Sequence, residues 1–181
     1  MNFFPKIETE RLYLSELRAA DVPQIVKYCG NEKIAQYTSH IPSPYKEKDA
    51  IFWINSAQQG LRKGTQLTLG IRLKEGNEFI GGMGLIITSV YKRAEIGYWL
   101  AEEHWNKGYT SEAAKALIDY AFKNLDLNKI TSSYMRYNPA SGKVMENCGM
   151  FREGEQKDQI LKNGVYHDLI LYGLTKEQYE S

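Results

Sequence analysis

The sequence predicts a mixed α/β fold in which helices cover both faces of a twisted, mostly antiparallel sheet. Residues 65–73 alternate between apolar and polar, which is typical of a half-buried strand. Apolar residues from 113 to 125 instead recur every three or four positions, as they do on one face of a helix. The predicted order βααβββαβαββ combines hairpins with crossover helices, so the sheet is expected to be mixed.

The length of the chain predicts one domain over residues 1–181, and its charge balance argues against some classes of partner. At roughly 150 residues per domain, a chain of 181 residues fits a single domain, and no linker, repeat or low-complexity tract divides it. The 23 basic and 22 acidic residues nearly balance, which argues against a nucleic-acid partner and a polybasic membrane surface. No secretory signal is evident, and the most apolar run, 80–87, is too short for a bilayer span. We expect a cytoplasmic protein.

The first third of the chain predicts one strand and two helices. The strand is expected at 11–14, and a helix follows with Asp21 as its N-cap and ends at Gly30. A second helix is expected from about Pro44 to Lys63. The segment between these helices, Ile34 to Ser43, is predicted to be a loop.

The middle of the chain predicts three strands. Residues 65–73 and 78–88 form a hairpin around the turn 74–77, and the third strand is expected at 93–100. The glycine-rich run 81–84 lies inside the second of these strands rather than before a helix. It therefore indicates a bulge or close packing, not a phosphate loop.

The last third predicts a strand at 129–137, a short helix at 139–147 and two closing strands. Asn138 is the expected N-cap of that helix, Pro139 opens it, and Gly149 ends it in the left-handed conformation. The closing strands are expected at 152–160 and 165–174, on either side of a turn at Lys162-Asn163-Gly164.

The segment that indicates chemistry lies between the strand 93–100 and the helix 113–125. A short polar loop, 105–110, leads into that helix, and free N–H groups at a helix N-terminus attract anions. Gly108 permits close approach of a phosphate, and Lys107 adds a positive charge. The residues thus favour a diphosphate-binding loop, although an ordinary helix start after a turn would look similar.

Other common sites are absent from the sequence. Neither GxGxxG nor GxxxxGK[ST] is present. Cys29 and Cys148 have no neighbouring cysteine, so two thiols are favoured over a disulfide, and Cys148 is expected to pack rather than act as a nucleophile. His40 and His104 lack partners at ligand spacing, so no metal is expected.

Residues 94–100 (AEIGYWL) and 105–113 (WNKGYTSEA) together resemble the GNAT superfamily of N-acetyltransferases, and in particular its RimJ/RimL-like branch, whose acceptors are the N-terminal amines of ribosomal proteins. Three further segments match that branch in order: 9–14 (TERLYL), 138–150 (NPASGKVMENCGM) and 163–168 (NGVYHD). The resemblance covers nearly the whole chain.

This resemblance implies acetyl-CoA as the cofactor and no metal. It implies that a fourth and a fifth strand run parallel and splay apart, with pantetheine between them. The cofactor-binding residues that it implies are Tyr98, Trp99, Leu100 and Ala101 on the strand edge, Trp105, Asn106, Lys107, Gly108, Tyr109 and Thr110 in the loop, and Asn138 and Ser141 at the short helix.

The chain departs from the superfamily pattern at two places. Trp105 and Thr110 occupy the outer positions of the loop, where the superfamily has Gln or Arg and Gly or Ala. Met145 stands where many members carry the tyrosine that protonates the departing thiolate. Ser141 is the nearest substitute for that acid, and capping of the short helix is its alternative role.

Glu95 is the predicted base. It shares a strand face with Gly97 and Trp99, while Ile96, Tyr98 and Leu100 point the other way. A solvent-facing side chain, or one paired with Arg93 or Lys92, is the alternative. Oxyanion stabilisation is expected from a strand-edge amide near Leu100.

The predicted function is acetyl transfer to a primary amine, most readily a protein N-terminal α-amine. A small amine such as a polyamine, an aminoglycoside or an amino acid is the alternative acceptor, and a non-catalytic acyl-CoA-binding module is an alternative of another class. The predicted acceptor pocket contains Tyr37, His40, His167 and Asp168, although His167 and Asp168 would serve equally to fix the turn into the last strand. A homodimer is plausible by base rate.

Overall fold

The computed structural model, described over residues 3–181, contains one eight-stranded sheet in the order β1-β2-β3-β4-β5-β6-β8-β7. The strands are Ile7–Glu8 (β1), Leu12–Ser15 (β2), Gln66–Leu73 (β3), Phe79–Thr88 (β4), Arg93–Leu100 (β5), Lys129–Met135 (β6), Phe151–Lys162 (β7) and Val165–Thr175 (β8). The helices are Val22–Cys29 (α1), Glu32–Tyr37 (α2), Glu47–Lys63 (α3), Tyr109–Asn124 (α4), Pro139–Asn147 (α5) and Lys176–Glu180 (α6).

The predicted mixed fold is confirmed. Every neighbouring pair of strands is antiparallel except β5 and β6, which are parallel and are joined through α4. Helices cover both faces. One core cluster packs α4 against the sheet through Leu117, Ile118 and Phe122, and another packs α1 and α3 against the opposite face through Ile25 and Ile54.

Local signals explain the two helices that border the site. The apolar stripe of α4 is buried along its length. At α5 the side chain of Asn138 accepts a hydrogen bond from the backbone N–H of Ser141, Pro139 is the first residue, and Gly149 follows the helix with φ of 78°. The predicted caps of α5 are therefore confirmed.

The predicted loop from Ile34 to Ser43 is wrong in its first part, because α2 occupies Glu32–Tyr37. The side chain of Asn31 accepts a hydrogen bond from the N–H of Lys33 and so caps α2, while Ile34 and Ala35 are buried. The predicted start of α3 at Pro44 is also early, because the helix begins at Glu47 after a cis Ser43–Pro44 peptide. The short elements β1 and α6 lack a sequence pattern that would have predicted them.

Asp21 occupies the predicted N-cap position of α1, but its side chain does not cap the helix. It forms instead a two-pronged ion pair with Arg72 of β3, with N–O distances of 2.9 and 2.6 Å. Both side chains are more than nine-tenths buried. Arg72 also donates hydrogen bonds to the Ser15 hydroxyl and the Glu16 carbonyl. This satisfied network joins α1 to the sheet, and removing one partner would leave a buried charge.

The glycines of β4 serve close packing, as predicted. A Cβ atom at Gly82 would lie 2.4 Å from the Trp53 ring of α3, which therefore lies directly on the sheet. A bulge interrupts the β3–β4 ladder between Ile71 and Arg72. Cys29 and Cys148 are free thiols. Within residues 3–181 we find no helix that combines the length and the apolar character needed to cross a membrane.

Candidate active site

The site is organised by a gap between the two parallel strands. β5 and β6 pair at only three positions, Arg93 with Lys129, Ala94 with Ile130 and Glu95 with Thr131. At the next position the hydroxyl of Ser132 donates a 2.9 Å hydrogen bond to the carbonyl of Ile96, and beyond it the strands part. The splay that the sequence resemblance implied is therefore present.

Tyr98 and Leu100 present their backbone groups to this gap. Backbone groups alternate in direction along a strand; the Ile96 carbonyl faces β6, whereas the Ala101 N–H donates to the Ile80 carbonyl of β4. Of the predicted edge residues, Tyr98 to Ala101, two therefore direct their backbone groups into the gap, namely Tyr98 and Leu100. The indole N–H of Trp105 donates a 2.7 Å hydrogen bond to the Leu100 carbonyl and fixes the end of the strand.

The loop after β5 offers a row of free amides. Asn106 and Gly108 have φ angles of 60° and 78°, and Gly108 is the N-cap of α4. The backbone N–H groups of residues 106–111 have no acceptor among the residues that the structure describes. Consecutive unpaired N–H groups at the positive end of a helix fit a diphosphate. The loop residues predicted from sequence, Trp105 to Thr110, are therefore brought together.

Arg11 contacts both this loop and the first turn of α4. Its Nη1 atom donates a 3.0 Å hydrogen bond to the Lys107 carbonyl, its Nε atom donates a 2.7 Å bond to Glu112, and its guanidinium lies over the Tyr109 ring. The hydroxyl of Thr9 also donates to Glu112. Sequence reasoning used the segment 9–14 to predict a strand and as a family match but missed this role, because a charge pair more than a hundred residues apart leaves no local pattern.

The pKa of Glu112 reflects these contacts. Burial raises it, but hydrogen bonds from Thr9 and Arg11 and the charge of Arg11 outweigh burial, so the net pKa lies below its usual range. Glu112 is therefore ionised at neutral pH and remains a fixed acceptor for Arg11. The carboxylate also lies in the first turn of α4, where negative charge is favoured.

Ser141 and Tyr98 meet across the gap. The Ser141 hydroxyl lies 3.1 Å from the Tyr98 hydroxyl, which donates a 2.9 Å hydrogen bond to the Ser141 carbonyl. Burial raises the pKa of the Tyr98 phenol above its usual range, so the phenol stays protonated. Met145 occupies the position at which many superfamily members carry the tyrosine that protonates the thiolate, and its side chain is buried in the core. Sequence reasoning predicted Ser141 but missed its pairing with Tyr98.

Glu95 lies at the last residue pair before the gap, and its side chain is exposed on the same sheet face as Trp99. Trp99 packs between Trp53 and Phe79 on that face. The predicted sharing of a face by Glu95 and Trp99 is confirmed. Glu95 lines an open pocket of about 440 Å³ with residues of β4, β6, β7 and β8. Among the described residues it forms no ion pair.

Aromatic side chains gather at the mouth of the gap. The Tyr37 ring lies 6.0 Å from Trp105 and 6.1 Å from Tyr137, and the His167 ring lies 4.9 Å from Tyr137. The Asn138 amide donates a 3.2 Å hydrogen bond to the Tyr37 carbonyl, which joins α2 to the end of β6. Tyr37 and His167, two of the predicted acceptor residues, are thus near each other.

The other two predicted acceptor residues are His40 and Asp168. His40 is exposed on the segment after α2. Asp168 accepts hydrogen bonds from the Lys157 ammonium at 2.8 Å and the Asp158 N–H at 3.0 Å, so it fixes the bulged part of the last hairpin. These contacts lower the pKa of the Asp168 carboxyl. Of its two predicted roles, the structural one has direct contacts.

The last hairpin reaches α2 through Lys162, which sequence reasoning placed only in a turn. Its ammonium donates hydrogen bonds to the carbonyls of Ala35 and Thr38. Burial lowers the pKa of Lys162. Lys162 therefore joins the β7–β8 hairpin to α2 and to the segment that follows α2.

Cys148 packs as predicted. It is half-buried, its thiol points at the Ser111 carbonyl 3.8 Å away, and burial raises its pKa to about 11. A thiol of that pKa is a poor nucleophile at neutral pH.

The comparisons with known sequences agree on one family. The model of the "Acetyltransferase (GNAT) domain" matches residues 11–151. A protein of Bacillus licheniformis named "Uncharacterized N-acetyltransferase p20" is 32% identical, over 94% of this chain and 96% of its own. The [Ribosomal protein uS5]-alanine N-acetyltransferase of Escherichia coli (strain K12) is 27% identical, over 63% of this chain and 60% of its own.

Solved structures share the fold. RimL, a ribosomal L7/L12 α-N-protein acetyltransferase in complex with coenzyme A, has a TM-score of 0.87 at 22% identity, covering 94% of this chain and 98% of its own. Spermidine N-acetyltransferase from Vibrio cholerae, in complex with coenzyme A and spermine, has a TM-score of 0.81 at 24% identity, with the same coverage.

We predict that Glu112→Gln destabilises the fold by roughly 1–2 kcal/mol at pH 7, because an amide replaces a charged acceptor of several hydrogen bonds. The folded-state pKa of Glu112 is depressed, so its stabilising effect is present above the unfolded pKa of about 4.3 and is lost as pH falls through the folded value. Urea unfolding of both proteins should therefore show a difference that narrows from about pH 5 towards about pH 3.

Glu75→Gln is the control, because Glu75 is exposed in the β3–β4 turn. It should leave the unfolding midpoint unchanged at both pH values. An E112Q midpoint equal to that of the wild type at pH 7 would contradict the supporting role of Glu112.

Proposed function

Because the chain belongs to the GNAT acetyltransferase family, we propose that it transfers the acetyl group of acetyl-CoA to the α-amine at the N-terminus of a protein. The observation that carries this proposal is the gap between β5 and β6, which opens beside the free amides of residues 106–111. We propose that residues 1–181 act as one catalytic domain.

The residues around the gap fit coenzyme A. The amide row at α4 suits its paired phosphates, and the backbone N–H and carbonyl of Tyr98 suit an amide of pantetheine. Acetyl-CoA supplies a thioester, an acyl group that an amine attacks directly. The N–H of Leu100 is the proposed donor to the carbonyl oxygen as it gains charge.

Glu95 is the proposed base. The α-amine of a protein has a pKa of about 7.7–8.0, so about a tenth or more of it is neutral at pH 7, whereas less than about 0.1% of a lysine side chain is. A modest base suffices for such an acceptor, directly or through a water molecule. The exposed carboxylate in the open pocket supports this role, because a substrate amine can reach it from solvent.

Ser141 is the proposed acid for the departing thiolate. Its hydroxyl lies at the far wall of the gap, where α5 begins, and donates a 3.1 Å hydrogen bond to the Tyr98 hydroxyl, which in turn donates to the Ser141 carbonyl. The phenol of Tyr98 remains protonated because burial raises its pKa. We propose that Tyr98 orients the serine hydroxyl towards the sulfur position.

The pocket around Glu95 favours a peptide acceptor over a polycation. Its acidic residues Glu95 and Glu153 are balanced by Arg93 and Lys129, and Glu153 already pairs with Lys129 at 2.6 Å. A polyamine site would need an excess of negative charge. The exposed apolar residues of the last hairpin offer further contact area for a polypeptide: Leu161, Val165 and Tyr166.

A small-amine acceptor remains the second candidate, supported by the fold that this chain shares with the spermidine enzyme. The proposal is tested with the purified protein, acetyl-CoA and two sets of acceptors: peptides with free N-termini, and spermidine, aminoglycosides and amino acids. We expect thiol release with peptides and loss of activity when their α-amine is blocked. Faster turnover with spermidine than with every peptide would favour the second candidate, and no turnover with either set would favour a non-catalytic acyl-CoA-binding module.

We predict that Gly108→Val weakens coenzyme A binding at least about tenfold, or ~1.4 kcal/mol. The φ of Gly108 is 78°, a conformation that a β-branched residue rarely adopts, so the amide row would be displaced. Isothermal titration calorimetry with coenzyme A measures the change.

Gly76→Val is the matched control. Gly76 has φ of 72° with no atom near its Cβ direction, so the substitution imposes the same backbone strain in a turn remote from the loop. It should lower stability and leave the coenzyme A affinity unchanged. Equal affinity of G108V and the wild type would contradict the proposed diphosphate site.

We predict that Glu95→Gln lowers kcat/KM with a peptide acceptor by about 100-fold at pH 7, the effect expected for loss of a general base. The defect should shrink towards about pH 9, where most of the α-amine is neutral without assistance. Initial rates of thiol release across this pH range measure it.

In the same assay Ser141→Ala should lower kcat about tenfold with little change in coenzyme A affinity, since the thiolate loses its proton donor. Glu153→Gln and Ser133→Ala are the controls, because both residues line the Glu95 pocket and neither has a proposed role in proton transfer. A kcat/KM within about threefold of the wild type for E95Q and S141A, under roughly 0.7 kcal/mol, would remove both assignments.

A further inference from the structure

His104 is a buried histidine without a hydrogen-bond partner. It ends the 3-10 turn Glu102–His104 between β5 and α4, and only a tenth of its side chain is exposed. Neither ring nitrogen has a partner among the residues that the structure describes. A buried polar group without a partner destabilises a fold unless something else occupies its hydrogen-bonding position.

Two carboxylates face the same ring nitrogen. The Nε2 atom lies 3.8 Å from Glu78 Oε1 and 3.9 Å from Glu103 Oε1. The three atoms all lie within 4.8 Å of one another. These separations exceed the hydrogen-bond range of about 2.7–3.2 Å. With the ring proton on Nδ1, three electron-rich atoms converge on one small space.

We propose that His104, Glu78 and Glu103 bind a divalent transition-metal ion, with Zn²⁺ the best match to an imidazole and two carboxylates. Zn–N and Zn–O bonds of about 2.0–2.1 Å place tetrahedral ligand atoms roughly 3.4 Å apart. The carboxylates need to approach the nitrogen by only a few tenths of an ångström. Both are substantially exposed, so the ion enters from solvent and water fills the fourth position.

A second layer of contacts supports the site. The Tyr28 hydroxyl of α1 donates a 3.1 Å hydrogen bond to Glu78 Oε1, which orients that carboxylate. Burial and this hydrogen bond raise the pKa of the Tyr28 phenol, so it stays a donor. The ammonium of Lys27 lies 3.9 Å from Glu103 Oε1 and competes with the ion, which predicts moderate rather than very tight binding.

The bound ion would connect three elements that meet beside the coenzyme loop. Glu78 lies directly before β4, Tyr28 lies in the last turn of α1, and His104 directly precedes Trp105, whose indole fixes the end of β5. The proposed ion is remote from the reacting groups and acts as a positioning group for the loop 105–110.

The proposal is tested on tag-free protein stripped with a chelator. ZnCl₂ should bind at one ion per chain by calorimetry, and the apparent Tm should rise with ZnCl₂ concentration. His104→Gln and Glu78→Gln should each weaken binding at least about tenfold, since each removes a ligand. E78Q keeps an oxygen acceptor for Tyr28, so it separates metal binding from folding. His40→Gln and Glu75→Gln, both exposed residues outside the cluster, should bind as the wild type does.

Two results would overturn the proposal. One is absence of stoichiometric Zn²⁺ uptake by the wild type, or uptake that H104Q and E78Q retain in full. The other is a Tm that does not change with ZnCl₂ concentration but rises as pH falls from about 7 to about 5.5. In that case E78Q or E103Q would abolish the rise in Tm. That outcome would assign the space between the carboxylates to a protonated imidazole.

Discussion

The early parting of β5 and β6 is the constraint on which the site depends. A sheet interior normally consumes every backbone N–H and carbonyl, and an open edge must find other partners. Here the hydroxyl of Ser132 and the indole of Trp105 terminate the ladder at the two ends of the gap. Between them the backbone of Tyr98 and the N–H of Leu100 are left without a partner in the sheet, and they form the edge at which we propose that the ligand binds.

The helix that joins these strands, α4, supplies the other half of the proposed coenzyme site. Its first turn carries the carboxylate of Glu112, which would weaken the attraction of the helix N-terminus for an anion if it were free. Arg11 pairs with this carboxylate and at the same time donates a hydrogen bond to the Lys107 carbonyl. Arg11, which lies between β1 and β2 at the edge of the sheet, thereby holds the loop 105–110 in place.

Alternation along β5 divides the chemistry between two faces. Glu95 and Trp99 lie on the face covered by α1 and α3, where an acceptor can enter, while Tyr98 lies on the face of α4 and α5 with Ser141. The proposed base and the proposed acid thus lie on opposite faces of one strand, where they would serve opposite ends of the same acyl transfer. Within residues 3–181 the gap interrupts the ladder between β5 and β6 and so opens a path between the two faces.

Local patterns in the sequence were sufficient for most of the fold. The apolar stripe of α4, the alternation of β3 and the Asn138 and Gly149 caps of α5 each depend on neighbours within a few residues, so composition and spacing determined them. The loop 105–110 belongs to the same class, because an unpaired helix start is a local property. The short helix α2 was not predicted, because the turn-forming residues near it gave a stronger local signal.

Tertiary structure alone decided the contacts between distant residues. Arg72 with Asp21, Tyr98 with Ser141, Lys162 with the end of α2, and His104 with Glu78 all meet because sheet register and helix packing bring them together. No periodicity encodes these meetings, since each depends on the summed geometry of every element between the partners. The sequence by itself thus determined most of the elements and the loop at which we propose that an anion binds, whereas folding decided which distant side chains meet.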